Sequence, residues 1–317
     1  MSPSFTLALH GGAGTILRAT MTEARAAEYR AGLARALHAG YAVLAAGGLA
    51  LDAVTASVCV LEDEPLFNAG RGAVFNTAGT QEMEASLMDG RDWRAGAVTM
   101  LFGPKNPILV ARAVMERTEH VCLSGAAAAR LAEEAGLPFG DKDYFFTQAR
   151  WDALAETLRL NAEGVDDGDE SRKHGTVGAV ARDSAGNLAA ATSTGGRTAK
   201  LAGRIGDTPI LGAGTFADNA SCAVSCTGHG ESFMRRVTAH ELSARMRHRG
   251  EDLRTAADQV VMGDLAEIGG AGGLVAVGAD GSFALPFNCE GMYRGHIGPD
   301  GVAWTGIYRE DLVATAL

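Results

Sequence analysis

The spacing of apolar residues separates helices from strands along the first half of the chain. Between residues 22 and 44, apolar side chains such as Leu33 and Leu37 recur every three to four positions, which predicts a long amphipathic helix. Residues 50–61 continue as a more apolar helix, which Pro65 ends because proline cannot continue a helix. The same criteria predict strands over residues 5–9, 82–88 and 95–101, and helices over residues 107–116 and 125–135.

The second half of the chain repeats this succession of strands and helices. Its predicted strands cover residues 177–182, 188–193, 222–227, 274–277 and 283–286, and its predicted helices cover residues 232–247 and 253–268. Strands arrive as neighbouring hairpins and helices arrive in consecutive pairs, which argues against alternating βαβ units. The pattern therefore predicts an α+β fold in which two sheets are stacked between helical layers.

Residues 161–175 are the one stretch with the composition of a linker. They are acidic, contain glycine and show no apolar period. Thr176 follows directly and begins a β-branched and alanine-rich run, which predicts a buried strand. A threonine is thus expected where an exposed segment meets a sheet.

A threonine hydroxyl in this position can attack the carbonyl of the residue before it. Gly175 places no Cβ in the way of the strained backbone that such an attack needs. Cleavage would leave Thr176 as a new N-terminus, whose α-amine, with an ordinary pKa of about 7.7 to 8, can act as the base for its own hydroxyl. For these residues taken alone, the alternative is a turn that enters an ordinary strand.

Composition and charge limit the partners of the chain. The 317 residues are 47% hydrophobic, which is enough for a sizeable core. The net charge of −10 and the lack of a Lys/Arg cluster argue against nucleic acid and favour a small-molecule or peptide substrate. The five cysteines form no CxxC pair, which indicates free thiols in a reducing cytoplasm. Because no signal-like leader and no run of about 18 apolar residues is present, we expect a cytoplasmic protein without a membrane partner.

Two segments of the second half carry polar groups suited to an amino-acid substrate. Thr194 ends a strand that is predicted to form a hairpin with the strand after Thr176, so the two hydroxyls are expected close together. Arg204 and Asp207 lie three positions apart between glycines. A guanidinium suits an α-carboxylate and a carboxylate suits an α-ammonium, so this pair can recognise a free amino acid. The alternatives are a surface threonine at Thr194 and an exposed ion pair at Arg204 and Asp207.

The segment Thr227-Gly228-His229-Gly230 ends a predicted strand and opens a predicted helix. A hydroxyl and free backbone N–H groups at such a junction can point at an anion, which makes the segment a candidate oxyanion hole. His229 is not required as a general base, because the α-amine of Thr176 already provides one.

These segments, together with His10-Gly11-Gly12-Ala13-Gly14 and Leu66-Phe67-Asn68-Ala69-Gly70, resemble the N-terminal-nucleophile hydrolases of the plant-type asparaginase and isoaspartyl peptidase family. The resemblance extends from about residue 7 to residue 309. It implies a four-layer αββα sandwich and cleavage between Gly175 and Thr176. The products would be an alpha subunit, residues 1–175, and a beta subunit, residues 176–317, which stay together as one folded domain and form a dimer of alpha-beta units.

The resemblance also implies a role for individual residues. Thr176 would be the nucleophile, with Thr194 beside it. Thr227 through its hydroxyl and Gly228 through its N–H would stabilise the oxyanion. The residues implied to contact the substrate are Arg204, Asp207, Gly230 and Asn68.

A structural sodium ion is implied as well, whereas no cofactor is implied for catalysis. In relatives the loop after the second helix binds sodium through backbone carbonyls, so the side chains of the ligands matter little. The matching residues are Leu61, Glu62, Glu64, Phe67, Ala69 and Arg71.

The function implied by the resemblance is hydrolysis of β-aspartyl (isoaspartyl) dipeptides and of L-asparagine, with release of L-aspartate. One alternative is a glycosylasparaginase, although members of that group carry an aspartate where this chain has Gly175. The other alternative is an uncleaved relative that binds aspartate without catalysis. The sequence leaves open the preference between asparagine and β-aspartyl peptides, and the extent of cleavage.

Overall fold

The structure is a computed structural model that describes residues 5–165, 175–310 and 312–316. Most of the predicted linker, residues 166–174, lies outside the described residues. The beginning of that predicted linker is wrong, because residues 161–163 are the last residues of a helix. Thr147 begins this helix by accepting a hydrogen bond from Arg150 N, a cap that the apolar spacing alone did not reveal.

Both strands and helices are present, as the predicted α+β class requires. The strands are β1 (Thr6–Gly14), β2 (Met83–Asp89), β3 (Ala95–Leu101), β4 (Cys122–Ser124), β5 (Val177–Arg182), β6 (Leu188–Thr194), β7 (Thr215–Ala217), β8 (Cys222–Gly228), β9 (Gly272–Gly278), β10 (Phe283–Ala284), β11 (Gly291–Ile297), β12 (Ala303–Gly306) and β13 (Val313–Ala314). The α-helices are α1 (Glu23–Ala45), α2 (Ala50–Asp63), α3 (Pro107–Arg117), α4 (Gly125–Glu134), α5 (Lys142–Phe145), α6 (Gln148–Glu163), α7 (Gly230–Arg236), α8 (Thr238–Ala244) and α9 (Leu253–Asp258).

Within the described residues the strands form two sheets. The larger sheet has the order β13-β12-β11-β1-β5-β6-β2-β3-β4, and only the β3–β4 pair is parallel. The smaller sheet has the order β10-β9-β8-β7 and is antiparallel. Strands β1, β5 and β6 are therefore central in the larger sheet.

The alternation of side chains along the central strands supplies two separate cores. Leu7 and Leu9 of β1 belong to the core shared with α1 and α2, whereas Ala8 between them belongs to the core shared with the smaller sheet. In the same way Ala179 and Val180 of β5 enter different cores. Because both faces of these strands are buried, their sequence is almost continuously apolar instead of alternating with polar residues.

The packing partners of the two sheets are distinct. Helices α1 to α4 contact the larger sheet, and strands β7, β8 and β9 contact it as well. Helices α7, α8 and α9 contact the smaller sheet. The centre of the larger sheet is thus covered by helices on one side and by the smaller sheet on the other.

Several predicted elements differ from the structure. The strand predicted over residues 283–286 ends at Ala284, and the α-helix predicted over residues 253–268 ends at Asp258, after which the chain continues in π- and 3-10-helical turns. The first strand, predicted to end at Leu9, continues to Gly14 as β1, because a bulge between His10 and Gly12 takes up the irregularity that the glycines introduce. The helix predicted over residues 232–247 is broken at Val237, which adopts a left-handed conformation with φ of 49° between α7 and α8. Apolar periodicity does not reveal such a break.

Candidate active site

Thr176 and Thr194 face each other at the centre of the larger sheet. β5 pairs with β6 so that Val177 lies opposite Ser193, and the same register places Thr176 opposite Thr194. Thr176 is only 6% exposed, and its hydroxyl donates a hydrogen bond to Thr194 Oγ1 over 3.2 Å. The structure brings these two hydroxyls together in the way that hairpin pairing predicts.

Two side chains donate hydrogen bonds to the carbonyl of Gly175. The donors are Thr194 Oγ1, at 2.9 Å, and Asn68 Nδ2, at 2.8 Å. Thr194 has a single hydroxyl hydrogen, which goes to Gly175, while its oxygen accepts from Thr176 Oγ1 and, over 2.9 Å, from Gly196 N. The carbonyl before Thr176 is therefore polarised by two donors at once.

Asn68 reaches this site from the loop after α2. Its side chain is 2% exposed, its Oδ1 accepts from Val74 N over 3.0 Å, and its Nδ2 also donates to Gly196 O over 2.6 Å. Both ends of the amide are bonded, so its orientation toward Gly175 is fixed.

The backbone around Gly175 requires residues without a Cβ. Gly175 has φ of 153° and Gly12 has φ of 117°, both in the region that favours glycine. A Cβ on Gly12 would lie 3.1 Å from Gly175 Cα, which shows how closely β1 passes the bond before Thr176.

Arg204 and Asp207 line the same pocket as Thr176, together with Gly175, Thr194, Gly228 and Gly230. The Nε and Nη2 atoms of Arg204 donate to Glu231 over 3.0 and 2.9 Å. Partial burial alone would raise the pKa of Glu231, but the Arg204 guanidinium outweighs it and lowers this pKa to about 2. Arg204 is therefore held by Glu231, and the alternative of an exposed ion pair between Arg204 and Asp207 is wrong, because Asp207 is buried.

Asp207 is a buried carboxyl group that lacks a full set of partners. Its Oδ2 has no hydrogen-bond partner within the described part of the chain, and the residue is 5% exposed. Burial raises the pKa of Asp207 to about 7, against the lowering effect of its own backbone N–H and of Arg204. A Cβ on Gly230 would lie 2.7 Å from Asp207 Oδ1 and 3.0 Å from Arg204 Nη2, so glycine at this position keeps the space between both charges open.

Two buried charged residues that the sequence analysis did not single out, Glu84 and Lys200, lie next to the segment that carries Arg204 and Asp207. Glu84 accepts from Gly206 N over 3.2 and 3.0 Å with its two carboxylate oxygens, and Lys200 Nζ lies 3.8 Å from Glu84 Oε1. Both side chains are buried. Glu84 fixes the segment between Arg204 and Asp207, since a backbone N–H bonded to a carboxylate is strongly held, and Lys200 lies beside Glu84 as its counter-charge.

Thr227 and Gly228 end β8 beside β1. Thr227 is fully buried, and its Oγ1 accepts from Ala13 N over 3.1 Å. Within the described residues the hydroxyl hydrogen of Thr227 has no protein acceptor. This hydrogen is available to a bound ligand. Gly228 lines the pocket directly.

His10 is a site residue whose contact the sequence analysis missed. Its Nδ1 lies 2.9 Å from the Thr176 carbonyl and its Nε2 lies 2.9 Å from Ser225 Oγ. A carbonyl only accepts, so Nδ1 carries the hydrogen and Nε2 accepts from Ser225. Burial lowers the pKa of His10 to about 3, despite the raising effect of the Thr176 carbonyl, so the ring is neutral.

The bond from Ser225 continues into a row of buried hydroxyls between the two sheets. Thr192 Oγ1 lies 2.7 Å from Ser225 Oγ and, because Ser225 donates to His10, Thr192 is the donor. Thr215 Oγ1 in turn donates to Thr192 over 2.6 Å. The row links Thr176 to the smaller sheet, and residues from four strands must assemble before it exists.

The loop after α2 packs its glycines directly on backbone carbonyls. A Cβ on Gly70 would overlap the carbonyl oxygen of Glu62, and one on Gly72 would overlap that of Phe67. The carbonyls of Glu64, Phe67 and Ala69 each accept one backbone N–H, which leaves each a second lone pair. Across residues 5–165, 175–310 and 312–316, no group of three or more His, Cys, Asp or Glu side chains could hold a metal ion.

All five cysteines are free, and Cys122 is exposed whereas Cys222 and Cys226 are buried. Among the described residues no helix is both long and apolar enough to cross a membrane.

Comparison with known proteins places the chain among close relatives. A family model described as asparaginase matches residues 3–307. The isoaspartyl peptidase of Salmonella typhimurium is 48% identical over 308 residues, which cover 96% of this chain and 98% of the relative. That of Escherichia coli is 47% identical over 315 residues, 98% of each chain. A protein of Xenopus laevis named isoaspartyl peptidase/L-asparaginase is 42% identical over 286 residues, 90% of each chain.

Proposed function

The chain belongs to the asparaginase family, and on this basis we propose that it is a threonine hydrolase that cleaves itself and then hydrolyses β-aspartyl dipeptides and L-asparagine, releasing L-aspartate. The single observation that carries the proposal is the pair of hydrogen bonds from Thr194 and Asn68 to the Gly175 carbonyl, next to the Thr176 hydroxyl. An ordinary strand entry has no need of two side-chain donors on one carbonyl.

In the proposed self-cleavage, Thr176 Oγ attacks the carbonyl carbon of Gly175. The developing oxyanion is stabilised by Thr194 and Asn68, which already donate to that oxygen. The Gly175–Thr176 C–N bond breaks, the proton of the hydroxyl passes to the departing nitrogen, and water hydrolyses the resulting ester. The products are residues 1–175 and residues 176–317, and Thr176 gains a free α-amine.

In the proposed mature enzyme, the α-amine of Thr176 takes the hydroxyl proton while Oγ attacks the β-carbonyl of the substrate. The free hydroxyl hydrogen of Thr227 and the N–H of Gly228 stabilise the oxyanion, a contribution of about 3 to 4 kcal/mol for a typical donor. The amine then gives its proton to the leaving nitrogen. Water hydrolyses the aspartyl ester and regenerates Thr176.

Substrate recognition is proposed to use both charged groups of the pocket. Glu231 occupies the Nε side of Arg204, so the substrate α-carboxylate binds the opposite edge, formed by Nη1 and the second hydrogen of Nη2. Asp207, with its unpartnered Oδ2, binds the α-ammonium. Arrival of this cation lowers the pKa of Asp207 and favours its ionised form.

We further propose that the two sheets and their helices form the four-layer αββα sandwich of N-terminal-nucleophile hydrolases. The contacts of α1 to α4 with the larger sheet, and of α7 to α9 with the smaller one, support this arrangement. The association of alpha-beta units into a dimer remains part of the proposal.

The loop Leu61–Arg71 is proposed to hold a sodium ion through the carbonyls of the residues named in the sequence analysis. The inward packing of Gly70 and Gly72 on carbonyl oxygens supports it. The ion would neutralise converging carbonyl dipoles and so stabilise the loop that carries Asn68. Catalysis itself is assigned to protein groups.

The test combines denaturing mass spectrometry with kinetics. The purified chain should separate into residues 1–175 and 176–317, and Thr176→Ala should remain intact while Thr176→Ser cleaves slowly. L-asparagine and β-aspartyl dipeptides should be hydrolysed. N-acetyl-asparagine should react roughly thirtyfold less well because Asp207 loses its partner, and glutamine about a hundredfold less well because its carbonyl is displaced by about 1 Å or more. An intact chain that binds aspartate without hydrolysis would contradict the proposal, as would preference for a glycosylated asparagine.

A further inference from the structure

A second pocket meets the reaction site at Gly175 and Asn68. Gly175 lines both pockets, and Asn68 lines the second one while its amide donates to Gly175 and to Gly196 of the first. Further lining residues of the second pocket are Gly12, Leu17, Tyr29, Leu66, Arg150 and Tyr293.

The chemistry of the reaction, taken as proposed above, determines which part of a substrate faces this second pocket. The α-amine of Thr176 must give a proton to the leaving nitrogen, so that nitrogen lies within hydrogen-bond distance of Thr176 N. Before cleavage Thr176 N is bonded to Gly175. The leaving group of a substrate therefore lies on the side that Gly175 occupies in the uncleaved chain, and this is the side of the second pocket.

Arg150 gives this pocket a positive charge that lacks a carboxylate partner. Its Nε donates to Gly72 O over 2.8 Å and its Nη2 donates to Leu66 O over 3.3 Å. Both acceptors are neutral, and no described Asp or Glu pairs with Arg150. Nη1 has no protein acceptor among the described residues, and Arg150 lines the pocket. Burial lowers the pKa of Arg150 against the raising effect of Tyr29 and Tyr293, and Arg25, which also lines the pocket, lowers it further.

The remaining walls suit a side chain. Tyr29 and Tyr293 stack with ring centroids 4.1 Å apart, and Leu17 and Leu66 are half-buried apolar residues. Aromatic and aliphatic surface of this kind binds apolar groups through burial of their area.

We propose that this second pocket binds the leaving amino acid of a β-aspartyl dipeptide, and that Arg150 pairs with the free α-carboxylate of that residue. The scissile C–N bond breaks, the α-amine of Thr176 supplies the proton, and the leaving residue departs as a free amino acid. A dipeptide with a free C-terminus is thus recognised at both ends: by Arg204 and Asp207 at the aspartyl end and by Arg150 at the other. L-asparagine, whose leaving group is ammonia, is bound only by Arg204 and Asp207.

The experiment compares three substrates on three forms of the mature enzyme. The substrates are β-aspartyl-leucine, its C-terminal amide, and L-asparagine; the enzymes are wild type, Arg150→Gln and Arg159→Gln. Arg159 is a matched control because it lies on the same helix, is exposed, and pairs with Glu156 and Glu163 outside the pocket. In the wild type, the free acid should have a kcat/KM roughly tenfold above that of the amide, the value of one charge-assisted contact in a partly exposed site.

Arg150→Gln should lose this roughly tenfold preference, mainly through a higher KM for the free acid. It should leave the amide and L-asparagine within about twofold, whereas Arg159→Gln should resemble the wild type throughout. A loss that is equal for all three substrates would assign Arg150 a purely structural role on the Leu66–Gly72 loop and overturn the inference.

The wild-type comparison decides the question even if Arg150→Gln does not mature. Equal rates for the acid and the amide, together with normal asparaginase activity, would refute this inference and leave the proposed function intact. Absence of hydrolysis for all three substrates would refute the proposed function itself.

Discussion

Replacing Thr194 by valine removes one hydroxyl and preserves the branched shape of the side chain. That hydroxyl donates to Gly175 O over 2.9 Å and accepts from Thr176 Oγ1 over 3.2 Å and from Gly196 N over 2.9 Å. We predict that Thr194→Val folds and cleaves itself far more slowly than the wild type.

The magnitude follows from the three lost bonds. Loss of one donor to a developing oxyanion costs roughly 10²–10³ in rate, about 2.7 to 4 kcal/mol, while Asn68 keeps the second donor in place. The buried N–H of Gly196 loses its acceptor, which costs about 1 to 3 kcal/mol of stability. This loss is smaller than a typical folding free energy of about 5 to 15 kcal/mol, so the chain should remain folded.

The assay follows the fraction of intact chain by denaturing mass spectrometry over days after rapid purification. Thr194→Ser is the rescue variant, because its hydroxyl can remake the same bonds, and it should cleave within about tenfold of the wild type. Ser193→Ala is the matched control: Ser193 is the neighbour on β6, and its buried hydroxyl donates over 2.6 Å to Glu62, away from Thr176. This variant should lose some stability and still cleave.

Two outcomes would refute the reasoning. If Thr194→Val cleaved at the rate of the wild type, the hydrogen bond to Gly175 would have no part in the reaction. If Ser193→Ala were blocked as strongly as Thr194→Val, the effect would come from general loosening of β6 and not from the Thr194 hydroxyl.

Three other predictions concern Asp207, His10 and the Leu61–Arg71 loop. The unfolding measurements for the first two use the uncleaved Thr176→Ala chain as the reference. Burial raises the pKa of Asp207 from 3.8 to about 7, so between these pH values the folded chain retains a proton that the unfolded chain loses. The free energy of unfolding therefore falls as the pH rises from 3.8 to about 7. Asp207→Asn should therefore gain stability over the reference at pH 8, by at most about 4 kcal/mol, and little at pH 4; urea unfolding that shows no pH-dependent gain would contradict it. His10→Phe should lose about 2 to 5 kcal/mol in the same assay, because the Thr176 carbonyl and Ser225 hydroxyl lose their buried partner; a neutral effect would show that the row of hydroxyls is unimportant. The wild type should keep its activity in EDTA and melt at a higher temperature in sodium than in a large organic cation, and EDTA inactivation reversed by zinc or magnesium would exclude the proposed carbonyl site.

Local patterns were sufficient for the parts of the site that lie close together along the chain. The strand after Thr176 and the strand that ends at Thr194 were readable from β-branched and apolar composition, and hairpin pairing then places their hydroxyls opposite each other. The roles of Arg204, Asp207, Thr227 and Asn68 came from family resemblance, since their spacing alone fits ordinary surface or strand-end residues equally well.

Contacts between distant segments could not be predicted from the sequence. Asn68 meets Gly175 across 107 residues, and His10 meets Ser225 across 215. Glu231, at the start of α7, accepts hydrogen bonds from Arg204. It stands only two residues after His229, so its charge was a signal in the sequence that this segment could pair with an arginine. These pairings arise only when both sheets have packed, because each side chain is brought to its partner by a different element.

The sequence by itself determined the α+β class, most of the strands and helices of the core, and the position of Thr176 at the edge of a buried run. The tertiary structure decided which polar groups surround that threonine and in what state they are: a neutral His10, an Asp207 with an unpartnered oxygen, and a Gly175 carbonyl held by two donors. The physical reason is that secondary structure follows from neighbours within a few residues, whereas burial, pKa and hydrogen-bond partners depend on the dielectric and the groups that packing brings together.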